Sequence, residues 1–304
     1  MPVLEVSHDR PVRPDGDNSA DRAQGRARSA VGTTYGGHDP ELLEAVLPLV
    51  SYIEVTPDTL AVQGPDGPSL PAHVLAELRD ISTQATVIVH GIGLSIGTAT
   101  GPSTDYLRLL DTLLEHVDVA WHSEHLGYTT VDGQFLGTML TLPRTDEALD
   151  MLCPRVEYLQ NRYGLPFLLE NVVHLLPDPD GAYTEAAFLN QLTGRTGCGL
   201  IVDAYNLRCD AHNYGLDIDA FLAELHTDAV QEVHVAGGAT RGSLMLDVHS
   251  RLVAPETMSV AQAILDRSPQ VAVTVYEVMR EAVPVLGRPA IAAELLAIAE
   301  GGKG

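Results

Sequence analysis

Metal-binding side chains recur at the ends of short apolar runs along this chain of 304 residues. In chain order they are His90, His125, Glu170, Asp203, His234, Asp247, His249 and Glu277. Imidazole and carboxylate together suit iron, manganese or zinc, whereas a thiolate zinc or iron–sulfur site would need cysteines at these positions. A single metal accepts about four to six ligands, so a set of this size predicts two or three metal ions.

Local spacing indicates how some of these side chains are oriented. Asp247 and His249 are two residues apart, and this spacing in a strand puts both side chains on one face, where they can chelate one metal. The same alternation within Ser123-Glu-His125 puts Glu124 and His125 on opposite faces. We therefore expect His125 to point into the site and Glu124 to orient it or to bind metal directly.

Two carboxylates end runs that are otherwise apolar. Glu170 follows Phe167-Leu-Leu, where an unpaired carboxylate would be costly and a bound metal would remove the cost. The two oxygens of Glu170 could also bridge two metals. Asp203 follows Leu200-Ile-Val, although a role as helix N-cap alone remains open for it. Asn206 and His212 come next and are further candidate ligands.

The apolar runs predict the fold that brings these side chains together. They are residues 51–54, 86–90, 117–125, 166–171, 200–203, 230–234, 244–249 and 271–277. Runs that are apolar on both faces belong to buried parallel sheets, and eight of them with helical patterns between predict an α/β fold, a single (β/α)8 TIM barrel. Its active site is expected where the strands end. We assign residues 32–304 to the barrel and residues 1–31, which are polar and lack apolar periodicity, to a flexible N-terminal arm.

Composition excludes several classes of partner and location. The formal net charge of −23, without a dense basic run, argues against nucleic acid as a substrate. No apolar stretch reaches the roughly 18 residues of a membrane span, and no secretory signal is visible, so no membrane association is expected. The odd set of cysteines, Cys153, Cys198 and Cys209, fits a reducing cytoplasm better than a disulfide framework.

Six motifs resemble those of a known family. They are His90-Gly-Ile-Gly-Leu-Ser-Ile-Gly97, Ser123-Glu-His-Leu126, Leu169-Glu-Asn171, Asp203-Ala-Tyr-Asn206, His234-Val-Ala-Gly237 and Asp247-Val-His249. In this order they resemble the multinuclear non-heme iron-dependent oxidative enzymes, formerly the domain-of-unknown-function family 692, within the xylose-isomerase-like barrel superfamily. The resemblance extends from about Tyr35 to Glu277 and beyond.

The resemblance implies a cytoplasmic enzyme that holds two or three irons, Fe(II) and Fe(III) together, and uses O2 to oxidise its substrate. That substrate is commonly a cysteine-containing, ribosomally made peptide, often delivered by a partner protein. The implied ligand sets are His90, His125 and Glu170 for one iron; Glu170, Asp203, His234 and Glu277 for a second; and Asp247 and His249, with Asn206 or His212, for a third or to complete a neighbour's coordination.

Roles beyond metal binding are predicted as well. Glu170, His125 and Glu124 are expected to be catalytic. Glu54, Ser95 and Asn171, which stand near the ligands at strand ends or in the glycine-rich turn after His90, are expected to bind substrate.

Two departures from the family pattern bear on the substrate. Glu124 stands where the family usually has Asp. Val278 and Met279 follow Glu277, where an aromatic residue and Asp are common. Both changes keep the metal ligands and leave the identity of the substrate open.

A zinc- or manganese-dependent hydrolase or isomerase of the same superfamily is the alternative. An enzyme resembling endonuclease IV would need a basic DNA-binding face and a His three residues after Asp203, but this chain is acidic and has Asn206 there. A sugar isomerase typically uses a catalytic lysine, which no predicted strand end carries. A non-enzymatic, metal-storing barrel fits less well, because open carboxylate-rich sites are poorly suited to a structural role.

Overall fold

Fourteen strands lie along residues 29–176 and 181–301, the part of the chain that the computed structural model describes. They are β1 (Ala30–Thr34), β2 (Tyr52–Val55), β3 (Val62–Gly64), β4 (Gly67–Ser69), β5 (Thr86–Gly91), β6 (Val119–His125), β7 (Gly127–Val131), β8 (Gln134–Thr141), β9 (Phe167–Glu170), β10 (Gly199–Asp203), β11 (Val230–Val235), β12 (Gly237–Arg241), β13 (Leu244–Arg251) and β14 (Val273–Tyr276).

Helices connect these strands. The α-helices are α1 (Pro40–Val46), α2 (Pro57–Leu60), α3 (Ala72–Ser82), α4 (Thr104–His116), α5 (Asp146–Tyr163), α6 (Glu185–Thr196), α7 (Ala204–Tyr214), α8 (Ile218–Glu224), α9 (Pro255–Arg267), α10 (Val283–Leu286) and α11 (Arg288–Ala299). Short 3₁₀ turns cover Leu47–Leu49, Thr227–Ala229 and Arg280–Ala282. Several helices begin at a side-chain N-cap, as Thr145 does for α5, because its hydroxyl accepts the Ala148 N–H.

Eight parallel strands close into a barrel in the order β1, β2, β5, β6, β9, β10, β11, β14. This architecture confirms the predicted TIM barrel. The strands β9 and β10 are buried along their whole length, since the barrel interior covers one face and the helices cover the other.

One predicted strand lies elsewhere. The run at residues 244–249 belongs to β13, which pairs antiparallel with β12 in a hairpin that follows the end of β11. The barrel is closed instead by β1, between β14 and β2. The partly exposed faces of β13 explain the difference, because a barrel strand is buried on both sides.

The boundary of the barrel also differs from the prediction. Strand β1 begins at Ala30, so residues 30 and 31, which we assigned to the flexible arm, are part of the barrel. The rest of the predicted arm, residues 1–28, lies outside the described residues. In the described part no single helix is long and apolar enough to cross a membrane, and one bent pair, Arg280–Leu286 with Arg288–Ala299, meets that criterion only jointly.

The barrel interior is built in layers that position the polar residues. An apolar cluster made of strand residues fills the interior, formed by Ile88, Trp121, Leu168, Ile201, Val273 and Val275. Side chains two positions further along a strand point in the same direction. The next inward positions, towards the strand ends, are therefore occupied by His90, Ser123, Glu170, Asp203 and Glu277. The apolar layer closes the barrel below these polar residues.

Candidate metal centre

Histidines and carboxylates from six strand ends meet above the apolar layer. His90, His125 and Glu170 form one group, and Glu170, Asp203, His234 and Glu277 form another, with the potential ligand atoms of each group within 4.8 Å of one another. These groups have the same members as the first two predicted ligand sets. Glu170 belongs to both, which places it between two potential metal positions.

His90 is oriented by a hydroxyl beneath it. The Ser123 hydroxyl donates to the Val89 carbonyl at 2.9 Å, so at 2.8 Å from His90 Nδ1 its oxygen is an acceptor. His90 therefore carries its proton on Nδ1. The lone pair of Nε2 then faces Glu170 Oε2, 2.8 Å away, as a metal ligand requires.

His125 also directs its Nε2 atom towards Glu170, but a backbone carbonyl orients it. Its Nδ1 lies 3.0 Å from the Gly91 carbonyl, which can only accept a hydrogen bond. The Nε2 atom is consequently the free ligand atom, 3.4 Å from His90 Nε2 and 3.5 Å from Glu170 Oε2. Two imidazole Nε2 atoms and one carboxylate oxygen thus converge on one point.

His234 is held from below by two buried carboxylates. Its Nε2 lies 3.2 Å from both Glu54 Oε2 and Glu232 Oε1, and Trp121 Nε1 donates to the other oxygen of Glu232 at 2.8 Å. A proton on Nε2 would be donated to Glu232 Oε1, while the Glu54 oxygens have no hydrogen bond of good geometry within the described residues. The Nδ1 atom then presents its lone pair to Glu277 Oε2 at 3.1 Å and to Glu170 Oε1 at 3.5 Å.

Asp203 caps a helix and also faces the cluster. Its Oδ1 accepts the Asn206 N–H at 2.7 Å as the N-cap of α7. Its Oδ2 is buried and has no hydrogen-bond partner within the described part of the chain. Each oxygen therefore has a separate function, and capping does not exclude metal binding. The buried Asn206 amide donates to the Asn171 carbonyl at 3.0 Å, and its oxygen is unpartnered.

Asp247 and His249 form the outer part of the cluster. His249 Nε2 lies 2.5 Å from Asp247 Oδ1 and 3.6 Å from Glu277 Oε2, so this pair adjoins the second group through Glu277. The two residues share a face of β13, as their spacing predicted, although β13 is a hairpin strand. His249 has a φ of 36°, an unfavourable value for a residue with a side chain.

Charges within the cluster shift the pKa values in opposite directions. Burial works against a charge on His125, but Glu170 and Glu124 outweigh burial and raise its pKa to about 10. Burial likewise works against the charge on Glu277, but His234 and His249 outweigh it and lower its pKa to about 2. Burial and the neighbouring carboxylates raise the pKa of Asp203 well above its usual value. In the metal-free protein, protons on these groups offset the negative charge of the carboxylates. A bound metal ion would take over this role.

The cluster fits a metal centre because its buried ligand atoms lack other partners. Six such atoms have no hydrogen bond of good geometry within the described residues: Glu170 Oε2, Asp203 Oδ2, His234 Nδ1, Asp247 Oδ1, His249 Nε2 and Glu277 Oε2. Unpaired buried polar atoms are rare and call for an explanation. Metal ions would satisfy all six.

Glu124 lies outside the cluster, on the outward face of β6. Its carboxylate accepts the backbone N–H groups of His125 at 2.9 Å and Leu94 at 3.0 Å. The side chain lies on the outward face of β6, as alternation along the strand requires, and it reaches the centre through His125, whose Nδ1 is 3.6 Å from Glu124 Oε1. Of the two roles considered for Glu124, the structure matches orientation of His125.

Three predicted substrate contacts also need correction. Ser95 lies in the loop after β5, where its Oγ accepts the Thr129 N–H at 2.8 Å and lies 2.6 Å from Thr98 Oγ1. The Asn171 amide is hydrogen-bonded to the backbone of Asp203. Glu54 is 1% exposed beneath His234. These side chains support neighbouring backbone or a ligand, and so a substrate at the mouth of the barrel would not meet them.

His212 is the one predicted ligand that lies far from the others. It is exposed near the end of α7, with its Nε2 3.1 Å from the Ser243 carbonyl. His212 is therefore a member of neither ligand group. Ser123 and Glu232 were not predicted to have a role, although Glu232 stands two residues before His234 in the same pattern as Asp247 and His249.

The hydroxyl of Ser123 allows a test of how His90 is oriented. Replacing Ser123 with Ala removes the acceptor for His90 Nδ1–H, and loss of such a partner typically weakens metal affinity by about 10- to 100-fold. We expect a weakening in this range in chelator competition. Ser95→Ala is the matched control, because it removes an equally buried hydroxyl away from the cluster. Equal affinities in wild type and Ser123→Ala would show that this hydroxyl does not orient the ligand.

Comparison with solved structures supports the fold. The chain resembles D-psicose 3-epimerase from Clostridium cellulolyticum H10 with a TM-score of 0.57 at 13% identity, covering 90% of this chain and 98% of the other. It resembles the IolI protein, solved with a bound zinc atom, with a TM-score of 0.58 at 13% identity and the same coverages. For endonuclease IV from Thermus thermophilus the TM-score is 0.52 at 15% identity, over 90% of this chain and 98% of that chain. At these identities the likeness concerns the barrel alone.

Sequence comparison identifies the family. Proteins named UPF0276 are 34% identical over 229 residues in Rhizorhabdus wittichii, covering 75% of this chain and 80% of that protein, and 33% identical over 230 residues in Caulobacter vibrioides, covering 76% and 80%. A family model described as "RiPP precursor modification enzyme MbnB/TglH/ChrH", where RiPP denotes a ribosomally made and then modified peptide, matches residues 35–292. The chain belongs to this family of enzymes, as its strand-end motifs predicted.

Proposed function

We propose that this protein is a multinuclear non-heme iron oxidase that uses O2 to modify a cysteine-containing, ribosomally made peptide. The observation that carries the proposal is the position of Glu170. One carboxylate oxygen lies 2.8 Å from His90 Nε2, and the other lies 3.5 Å from His234 Nδ1. A carboxylate that faces two ligand groups is placed to bridge two metal ions.

The donor atoms are compatible with iron. The two groups centred on Glu170 offer imidazole nitrogens and carboxylate oxygens, a mixture that suits non-heme iron. A mixed pair or trio of Fe(II) and Fe(III) would supply the reaction with O2, which protein side chains do not provide. His90, His125 and Glu170 would hold one iron, Glu170, Asp203, His234 and Glu277 a second, and Asp247 with His249 a third.

The cavity beside the centre limits what can reach it. A space of about 200 Å³ is lined by His90, His125, His249 and Glu277. Pockets for drug-sized ligands are larger, roughly 300–1,000 Å³. The cavity therefore has room for one side chain or one end of a peptide, with the rest of the peptide outside. This supports a peptide whose reacting residue enters the barrel mouth, and delivery by a partner protein is compatible with it.

We expect the chain to change the mass of a cysteine-containing peptide only when iron and air are both supplied. The experiment co-expresses the chain with small cysteine-bearing peptides encoded beside it and analyses the peptides by mass spectrometry. A Cys→Ser version of each peptide is the matched control, and it should remain unmodified.

Three results would argue against this function. Conversion without O2 would exclude an oxidase. A zinc-loaded, colourless protein with full hydrolytic or isomerase activity would favour the alternative class in the superfamily. Modification of another residue beside an unchanged cysteine would keep an iron oxidase but exclude the thiolate as its anchor.

A further inference from the structure

Arg280 stands at the wall of the cavity that leads to the metal centre. Of the described residues that line this cavity, it is the only arginine or lysine. The side chain is exposed, and no ion pair joins it to another residue in the described part of the chain. The neighbouring Glu281 also lines the cavity without pairing with it. The guanidinium is thus a charged donor that no described residue engages in an ion pair.

The backbone and stem of Arg280 are held in place. The Met279 N–H donates to the His249 carbonyl at 3.0 Å, and the Ala282 N–H donates to the Met279 carbonyl at 2.9 Å. The side-chain stem lies on Gly36, where an added Cβ would be 3.0 Å from Arg280 Cβ and 3.4 Å from its Cδ. The backbone turn fixes the position of the Arg280 Cα, and the contact with Gly36 directs the side-chain stem along the cavity wall.

Other polar groups on this wall are engaged within the fold. The Thr34 hydroxyl donates to the Val278 carbonyl and accepts the Val278 N–H, both at 3.0 Å. The Thr59 hydroxyl donates to the Thr56 carbonyl at 2.9 Å. The Tyr35 hydroxyl donates to Glu77 Oε1. Arg280 is consequently the charged donor left to meet a ligand.

Chain connectivity limits the distance between Arg280 and the metal ligands. Arg280 is three residues after Glu277, so their Cα atoms are at most about 11 Å apart. Arg280 and the ligands His90, His249 and Glu277 also line the same cavity of about 200 Å³, so a ligand group held by Arg280 would share this small space with the reacting group. Two carboxylates, Glu277 and Glu281, line the same cavity as Arg280, in a chain with a net charge of −23.

We propose that Arg280 determines specificity by binding a carboxylate of the substrate next to its reacting residue. The carboxylate is either the C-terminal group of a peptide or an adjacent acidic side chain. The planar guanidinium can donate two parallel hydrogen bonds to a carboxylate, a geometry that an amide cannot accept in the same way. This inference deepens the proposed function and rests on it for the nature of the substrate.

The test compares thiol probes that differ only in the carboxylate. N-acetyl-L-cysteine and N-acetyl-L-cysteinamide are titrated by calorimetry into anaerobic protein loaded with redox-inactive zinc. Since a hydrogen bond between charged groups changes binding severalfold to about a hundredfold, we expect the acid to bind about tenfold more tightly. Arg280→Gln should abolish the preference. Arg79→Gln, the same charge change on exposed α3, should keep it.

A second variant and a second probe pair complete the test. Gly36→Ala keeps the arginine but displaces its stem, so it should reduce the preference while the protein remains folded. The second pair, N-acetyl-Cys-Glu-amide and N-acetyl-Cys-Gln-amide, tests an acidic side chain in place of a C-terminal carboxylate. Tighter binding of the acid in either pair supports the proposal if it depends on Arg280. Equal affinities in both pairs, an acid preference that survives in Arg280→Gln, or no binding by any probe would overturn it.

The binding result is independent of oxidation. Zinc-loaded protein cannot oxidise the probes, so a carboxylate preference stands even if the protein is not an oxidase. Conversely, a peptide oxidised equally well as acid and as amide would support the proposed function and overturn only the carboxylate site.

Discussion

Replacing Glu170 with Gln is expected to remove more than one metal ion from the centre. Wild-type protein purified without oxygen should contain more than one iron per chain by elemental analysis. Glu170 Oε2 faces His90 Nε2 at 2.8 Å and Oε1 faces His234 Nδ1 at 3.5 Å, so the carboxylate serves both ligand groups. The amide of Gln offers one neutral oxygen in place of two charged ones and cannot bridge. Both metal positions should therefore lose occupancy.

A matched control separates bridging from a general effect of a buried Glu→Gln change. Glu294 on α11 is partly buried and accepts the Val253 N–H at 3.0 Å, away from the centre. Glu294→Gln should keep the wild-type iron content. Circular dichroism should show that both variants are folded. If Glu170→Gln loses a single ion and keeps the others, the carboxylate is a terminal ligand and the bridged arrangement is incorrect.

The strand pattern carried much of the information about the centre. In β9 and β10 every residue is buried, and the two-residue period that puts Leu168 and Ile201 inside the barrel also puts Glu170 and Asp203 there. Barrel closure then makes distant strand ends adjacent. Residue type, local period and fold class together predicted that these side chains converge, and the resemblance to a known family implied how they divide into the two ligand groups.

Barrel closure itself could not be predicted from a single run. The β1 sequence Ala30-Val-Gly-Thr-Thr34 is short and only partly apolar, and it becomes a barrel strand because β14 and β2 pair with its two edges. The run in β13 is more apolar but pairs only with β12. The partners of a strand depend on residues far along the chain, so the hydrophobicity of the strand itself does not predict them.

Helical geometry explains why His212 is not part of the two ligand groups. It is six residues after Asn206 on α7, and at 3.6 residues per turn this separation rotates the side chain by roughly 240° about the helix axis. Asn206 is buried at the cluster, and His212 is therefore carried to an exposed face.

Polar residues that serve the backbone could not be distinguished from those that face a ligand. The Asn171 amide binds the N–H and carbonyl of Asp203, and the Ser95 hydroxyl binds the N–H of Thr129. Both residues stand beside true members of the cluster in the sequence. Their partners are main-chain groups, which every residue has, so residue types alone give no sign of the contact.

Metal affinity is expected to rise steeply with pH, because metal must displace protons from the centre. In the metal-free protein, burial opposes a charge on His125, but nearby carboxylates raise its pKa to about 10, and the pKa values of His90, His234 and His249 are raised too. Protonated imidazole has no lone pair for a metal. Each proton released on binding makes the apparent affinity rise about tenfold per pH unit, so release of two would give about a hundredfold.

The stability of the metal-free protein should change in the opposite direction. His125 has a folded-state pKa near 10, above its usual 6.5, so protonation of the folded state stabilises it fully below about pH 6.5. That stabilisation is lost as the pH rises towards 10. Glu277, with its pKa lowered to about 2, is already ionised at neutral pH and releases no proton to the metal. The increase in melting temperature caused by metal should therefore grow from pH 6 to pH 8.

Anaerobic chelator competition at pH 6, 7 and 8 measures this dependence, and calorimetry in two buffers of different ionisation enthalpy counts the protons released. His116→Asn is the matched control, because His116 is exposed at the end of α4 and should not affect the slope. In Ser123→Ala, His90 can place its proton on either nitrogen, so affinity should fall at every pH while the slope stays close to that of wild type. A metal affinity that does not change from pH 6 to pH 8 would mean that the imidazoles are already neutral before metal binds. The surrounding carboxylates would then not raise the histidine pKa values as described.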